Sequence, residues 1–240
     1  MSNDLTKLRE DLLEYASNEK AIILSRFFKT GVGQYGEGDK FLGVVVPDSR
    51  KIVKKYSTIS LSKIDKLIKS EFHEERLVAI LILVEKYKVA SAKASADQRK
   101  EICEFYLAHT KNINNWDLVD LSAPRIVGDF LLKRNRNLLL KLAKSKNLWE
   151  RRIAIISTFQ FIYNGEFEWT FKIAKILLND KHDLIHKACG WMLREVGKRV
   201  TEAELERFLK ENIKNMPRTM IRYAIERLSE TKRKYYLNLK

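Results

Sequence analysis

Residues that break regular structure are scarce in this chain: nine glycines and three prolines among 240 residues. A mainly β chain needs many more turns than these breakers supply, so helices are expected. Cysteine is scarcer still. Cys103 and Cys189 lie inside apolar-periodic stretches and form no CxxC pair. With no GxSxG element either, thiol and serine hydrolase chemistry has no support. Long apolar runs are absent too. The longest, Leu77 to Val84, is about eight residues against the roughly 20 that a spanning helix needs, so no membrane partner is expected. The opening MSNDLTKLRE lacks the apolar core of a signal peptide, and the cytoplasm is the expected compartment.

Negative charge is in short supply as well. Lys and Arg number 46 against 31 Asp and Glu, a net charge of +15. So large a surplus points to a polyanionic partner, and nucleic acid is the leading candidate. The surplus is uneven. Residues 1–120 carry 20 basic and 18 acidic side chains, net +2, and residues 121–240 carry 26 and 13, net +13. The cations of the second half are spread through helically patterned segments and form no tail of like charge.

The rest is core-forming: 45% of the residues are apolar, enough for a single all-α domain over 1–240. The 3.6-residue period predicts helices over 4–16, 19–29, 48–57, 62–69, 72–88, 95–109, 114–122, 126–145, 148–163, 167–179, 183–198, 202–214 and 218–229. A short tail, 230–240, is expected to follow. Ser62 with Asp65 and Thr201 with Glu204 read as capping boxes, and Pro217 suits a first helical position. Phe41 to Val46 reads as a short extended piece leading to Pro47. The segment 30–43, TGVGQYGEGDKFLG, holds five of the nine glycines and reads as a loop, either functional or simply connecting. Its glycines do not have phosphate-loop spacing.

An internal repeat organises the second half. Arg152-Ile-Ala154-Ile, Lys187-Ala-Cys189-Gly and Arg222-Tyr-Ala224-Ile recur at intervals of 35 residues. Each has a cation followed two positions later by a small residue. A looser copy runs from Glu75 to Ala79. Helix pairs at this period are the signature of an α-solenoid of HEAT-like antiparallel pairs. The small residue serves close packing. A cation recurring at one point of successive repeats would form a row suited to a phosphate backbone, or merely a solvated edge.

Three constellations are candidates for chemistry. Trp116 and Asp120 are four apart, on one helix face. Asn114 or Asn115 can cap that helix, and Asp117 in its first turn favours the positive end of the helix dipole, an explanation that does not extend to Asp120. The pair suits a sugar that develops positive charge, or is an ordinary half-buried Trp beside a solvated Asp. Trp149 with Arg152, and Lys187 with Trp191 and Arg194, also share faces. Tryptophan beside cations suits either a nucleic-acid surface or a core anchor overlain by long side chains. His182 and His186 have zinc-like HxxxH spacing, but Asp183 suits an N-cap and no third ligand suggests itself, so no metal and no cofactor are expected.

Four blocks in fixed order, FLGV with Pro47 and Arg50, NWDLVDLSAP at 115–124, LWERRIAI at 148–155 and HKACGWMLREVGK at 186–198, resemble the AlkD-type DNA alkylation repair glycosylases over roughly residues 20–230. The resemblance implies a curved solenoid with a basic concave face that holds duplex DNA. It implies hydrolysis of the N-glycosidic bond of cationic alkylated purines, N3-methyladenine and N7-methylguanine, without base flipping. By motif, the catalytic set is Asp120, Trp116, Trp191 and Arg152. The repeat and the shared helix faces give Arg152, Lys187, Arg194 and Arg222 as the expected DNA-binding set. The partner is alkylated double-stranded DNA, bound by a monomer that associates with the nucleoid. A non-catalytic DNA-binding HEAT-repeat protein of the same family is the alternative. Phe27 stands where some members of the family have tyrosine, and the glycine-rich stretch lengthens the connection before Phe41.

Overall fold

The computed structural model describes residues 3–239. Among them the chain is all-helical, with no strand beyond an isolated parallel bridge between Lys40 and Phe72. The fold is an α-solenoid of helix pairs arranged in two compact units, Met1–Ser122 and Ala123–Lys240. The unit boundary falls where the charge balance changes, because residues 121 and 122 carry no charge.

The first unit comprises α1 (Asn3–Leu13), α2 (Asn18–Phe27), α3 (Val46–Tyr56), α4 (Leu61–Ile68), α5 (His73–Ala92), α6 (Ala96–Ala108) and α7 (Trp116–Ser122). Its centre is α5, whose run Leu77–Val84 is buried throughout. A helix that is apolar all round needs neighbours on every side, and α5 packs against α3, α4, α6 and α7. The extended piece after the glycine-rich loop forms no strand. Its backbone N–H groups at Leu42, Gly43 and Val44 all donate to the buried Glu74 carboxylate, at 2.9, 2.9 and 3.2 Å. On its other side, Ser17 N–H donates to Leu42 O. Gly43 sits at φ +82°, and a Cβ there would lie 2.0 Å from Ser17 O. Only glycine fits.

The second unit begins with one π-helical turn, Pro124–Gly128, closed by Gly128 N–H donating to Ala123 O. There follow α8 (Asp129–Leu131), α9 (Asn137–Ala143), α10 (Leu148–Ser157), α11 (Phe159–Tyr163), α12 (Glu168–Leu177), α13 (Asp183–Arg199), α14 (Glu202–Asn212), a 3-10 turn Ile213–Asn215, α15 (Arg218–Ala224) and α16 (Glu230–Asn238). The hub is α13, which packs against α10, α11, α12, α14 and α15. The small residues of the repeat are all packed away: Ala154, Cys189 and Ala224 are fully buried.

Several sequence expectations need correction. The helix expected over 126–145 breaks, because the Arg136 guanidinium turns back onto Leu131 O and Leu132 O while pairing with Glu166. A side chain that takes up the last carbonyls ends a helix, and Asn135 Oδ1 then accepts from Asn137 N–H to start α9. The 148–163 helix divides at Thr158, whose hydroxyl donates to Ile155 O. Ser62 lies inside α4, which Ser60 precedes, and its expected box partner Asp65 is engaged by Lys69 and His109. Thr201 does cap α14, accepting from Ala203 N–H, but Glu204 pairs with Arg207 and closes no reciprocal box. Pro217 stands one residue before α15, as its N-cap. The segment expected as a tail contains α16.

Candidate functional site

In the first unit, α7 carries Trp116 and Asp120 one turn apart, both half-buried. The helix starts where Asn115 Oδ1 accepts Trp116 N–H at 2.8 Å. Two phenylalanines at the end of α2 hold the indole. Phe28 stacks on it with centroids 5.3 Å apart, and Phe27 meets it edge-on at 5.8 Å. Phe27 is 60% exposed, so the aromatic surface at Trp116 continues into solvent.

Asp117 does not behave as a solvated first-turn acid. Only 8% exposed, it accepts from His73 Nε2 at 2.9 Å. His73 opens α5, and its Nδ1 faces Asp39 at 3.4 Å. Asp39 in turn meets Arg76 at 2.7 Å and accepts from Asn114 at 3.2 Å. Burial opposes a charge on His73, but Asp117 and Asp39 outweigh it and lift the imidazole pKa to about 9. Burial likewise works against the Asp39 carboxylate, and His73 and Arg76 reverse this, holding its pKa below the usual range. The ring is flanked by Phe28 and Phe41, each 4.8 Å away. This cluster went unrecognised in the sequence. Asp39 and Phe41 come from the glycine-rich loop, some 30 residues from His73 and 75 from Asn114, and no local spacing joins them.

In the second unit, Arg152 is buried, with Nη1 donating to Leu184 O at 2.6 Å. Its guanidinium thereby orders the first turn of α13, the helix that bears Lys187, Trp191 and Arg194. Lys187 is half-buried and pairs with Asp183. Trp191 is half-buried beside Phe159 at 6.2 Å. Arg194 pairs with Glu226 and Glu195. Arg222 on α15 is exposed. The expected row of Arg152, Lys187 and Arg222 is therefore not uniform: the first is internal, the second is ion-paired and the third faces solvent. His182, not Asp183, caps α13, its ring accepting from Leu184 N–H. Both cysteines are buried, and burial pushes the Cys189 thiol pKa up.

Most acids of the second unit are taken up by specific cations. Glu166 pairs with Arg136, Asp180 with Arg151, Glu211 with Lys175 and Arg207, and Glu202 and Glu206 with Lys232. The surplus is left on exposed side chains such as Lys141, Lys144, Lys181, Arg218 and Arg222.

A family model described as DNA alkylation repair enzyme matches residues 8–228. A solved structure from Enterococcus faecalis, described as a predicted DNA alkylation repair enzyme, superposes with a TM-score of 0.67 at 20% identity, covering 91% of this chain and 99% of that one. At that identity the likeness speaks to the fold. No curated protein matches. An all-helical chain matched by that model over nearly its whole length belongs to the family of DNA alkylation repair enzymes.

Proposed function

We propose that this protein is a monofunctional DNA glycosylase that hydrolyses the N-glycosidic bond of cationic alkylated purines, N3-methyladenine and N7-methylguanine, in duplex DNA without flipping the base. The observation that carries this reading is the division of labour on α7. Asp117 is buried against His73, whereas Asp120, one turn beyond Trp116, remains partly exposed on the aromatic-lined face.

An alkylated purine already carries positive charge and leaves readily, so protonation of the leaving group is not required. The barrier lies in the oxocarbenium-like sugar and in delivering water. A carboxylate addresses both, by stabilising the developing charge and by orienting or deprotonating water, with the electrostatic part the larger. In this reading Asp120 has that role, and Trp116 and Trp191 present electron-rich faces to the deoxyribose. Lys187, Arg194 and Arg222 hold phosphates, as Arg152 does by the family motif. Arg222, exposed, is the cation of the set best supported as a direct contact. Backbone contacts carry little sequence information, so sequence preference is weak.

The test is release of free 7-methylguanine from methylated duplex DNA. Wild type releases it, and Asp120→Asn loses at least about a hundredfold in rate. Equal release by both proteins removes Asp120 from the mechanism. Salt-sensitive duplex binding with no release by either identifies a non-catalytic DNA-binding protein.

A further inference from the structure

We infer that His73, as an imidazolium bridging Asp39 and Asp117, is a positioning residue that sets the orientation of Trp116. The inference builds on the reading of Trp116 as a residue of the reaction, but its geometric part stands on the first unit alone.

Two routes connect the ring to the indole. The first runs through α7: His73 Nε2 holds Asp117, the residue next to Trp116, at 2.9 Å. Asp117 Oδ1 has no hydrogen bond among the described residues, so the pair through Oδ2 is what offsets the burial of this carboxylate. The second runs through rings. His73 packs on Phe28, and Phe28 stacks on Trp116 at an interplanar angle of 27°.

The bridge needs both ring protons. A neutral imidazole donates from one nitrogen and turns a lone pair from the other, which would then face a carboxylate. Only the charged ring donates to both Asp117 and Asp39. The charged groups facing it are Asp39 from the loop, Asp117 from α7 and Arg76 from α5 itself, while α2 contributes the uncharged Phe28. Arg76 works against the ring charge and the two acids work for it. Loss of the ring proton would leave Asp117 buried without its counter-charge, which frees the first turn of α7 and with it Trp116.

Fluorine NMR on the full chain labelled with 5-fluorotryptophan tests this. The four tryptophans give four signals, and Trp116→Phe assigns the relevant one. As pH rises from 6 to 10.5, the Trp116 signal of the wild type should follow a one-proton transition with a midpoint of about 9. That transition should vanish in His73→Gln and move down in Asp117→Asn, and Trp149, Trp169 and Trp191 should not follow it. A Trp116 signal that stays flat in the wild type, or titrates identically in His73→Gln, overturns the inference. In the base-release assay at pH 7.5, His73→Gln should lower kcat about tenfold with KM within about twofold, since misorientation costs rate more than binding. A Trp116 signal that titrates as stated in a protein releasing no base leaves the positioning role intact and defeats the glycosylase reading.

Discussion

At the scale of single residues, the structure separates two acids that the sequence places three apart. Helical spacing identifies Asp120 correctly as the carboxylate one turn from Trp116, yet it ascribes Asp117 to the helix dipole, because its partner His73 is 44 residues away. The charge on His73 has a consequence for stability. Its folded pKa of about 9 lies above the roughly 6.5 of an unfolded histidine. The stabilisation is therefore complete below about pH 6.5 and is lost as pH rises toward 9. Urea midpoints should fall across this window in the wild type, and His73→Gln should flatten the dependence. Arg152 is the residue for which the family motif and the placement differ most. With a buried guanidinium on Leu184 O, Arg152→Gln should lower the melting temperature by several degrees, equivalent to about 2 kcal/mol from a charged hydrogen bond. Exposed Arg222→Gln should leave it unchanged while weakening duplex binding. Thermal melts beside a binding titration separate the two.

At the scale of elements, period and small-residue spacing were enough to recover most helices and the packing role of Ala154, Cys189 and Ala224, since both follow from local geometry. What local geometry does not carry is a helix ended by a distant partner. The break within 126–145 depends on Arg136 turning back while Glu166, 30 residues on, holds it. The contact between α13 and α15 offers a sharp test of the repeat. A Cβ at Gly190 would lie 2.5 Å from Tyr223 Cβ and 2.6 Å from Met220 O, so Gly190→Ala forces the two helices apart. A loss of about 1–3 kcal/mol is expected from such overpacking, read as a lower denaturation midpoint. Restored stability in the Gly190→Ala, Tyr223→Gly double variant would not occur, because Met220 O remains in the way.

At the scale of the whole molecule, net charge divides between the units as +2 and +13, and the ion pairs show where the surplus remains. If the second unit supplies the DNA contacts, affinity should fall steeply with salt, with a logarithmic slope of about −0.9 for each phosphate neutralised. Removing Arg222 should make that slope shallower by about one, measured by binding titrations from low to moderate salt. The position of that charge was evident from the sequence, whereas its pairing was not, because which lysine meets which glutamate is decided by helices tens of residues apart. One further consequence concerns chain length. Glu74 fastens residues 42–44, so the C-terminal end of the glycine-rich loop is anchored by a contact outside the loop. Around Gly33 and Gly38 nothing lies within 4 Å of an added Cβ. The loop tip is thus a place where evolution can lengthen the chain and an experimenter can graft a reporter peptide, while a one-residue shift at Gly43 would be fatal to the clasp.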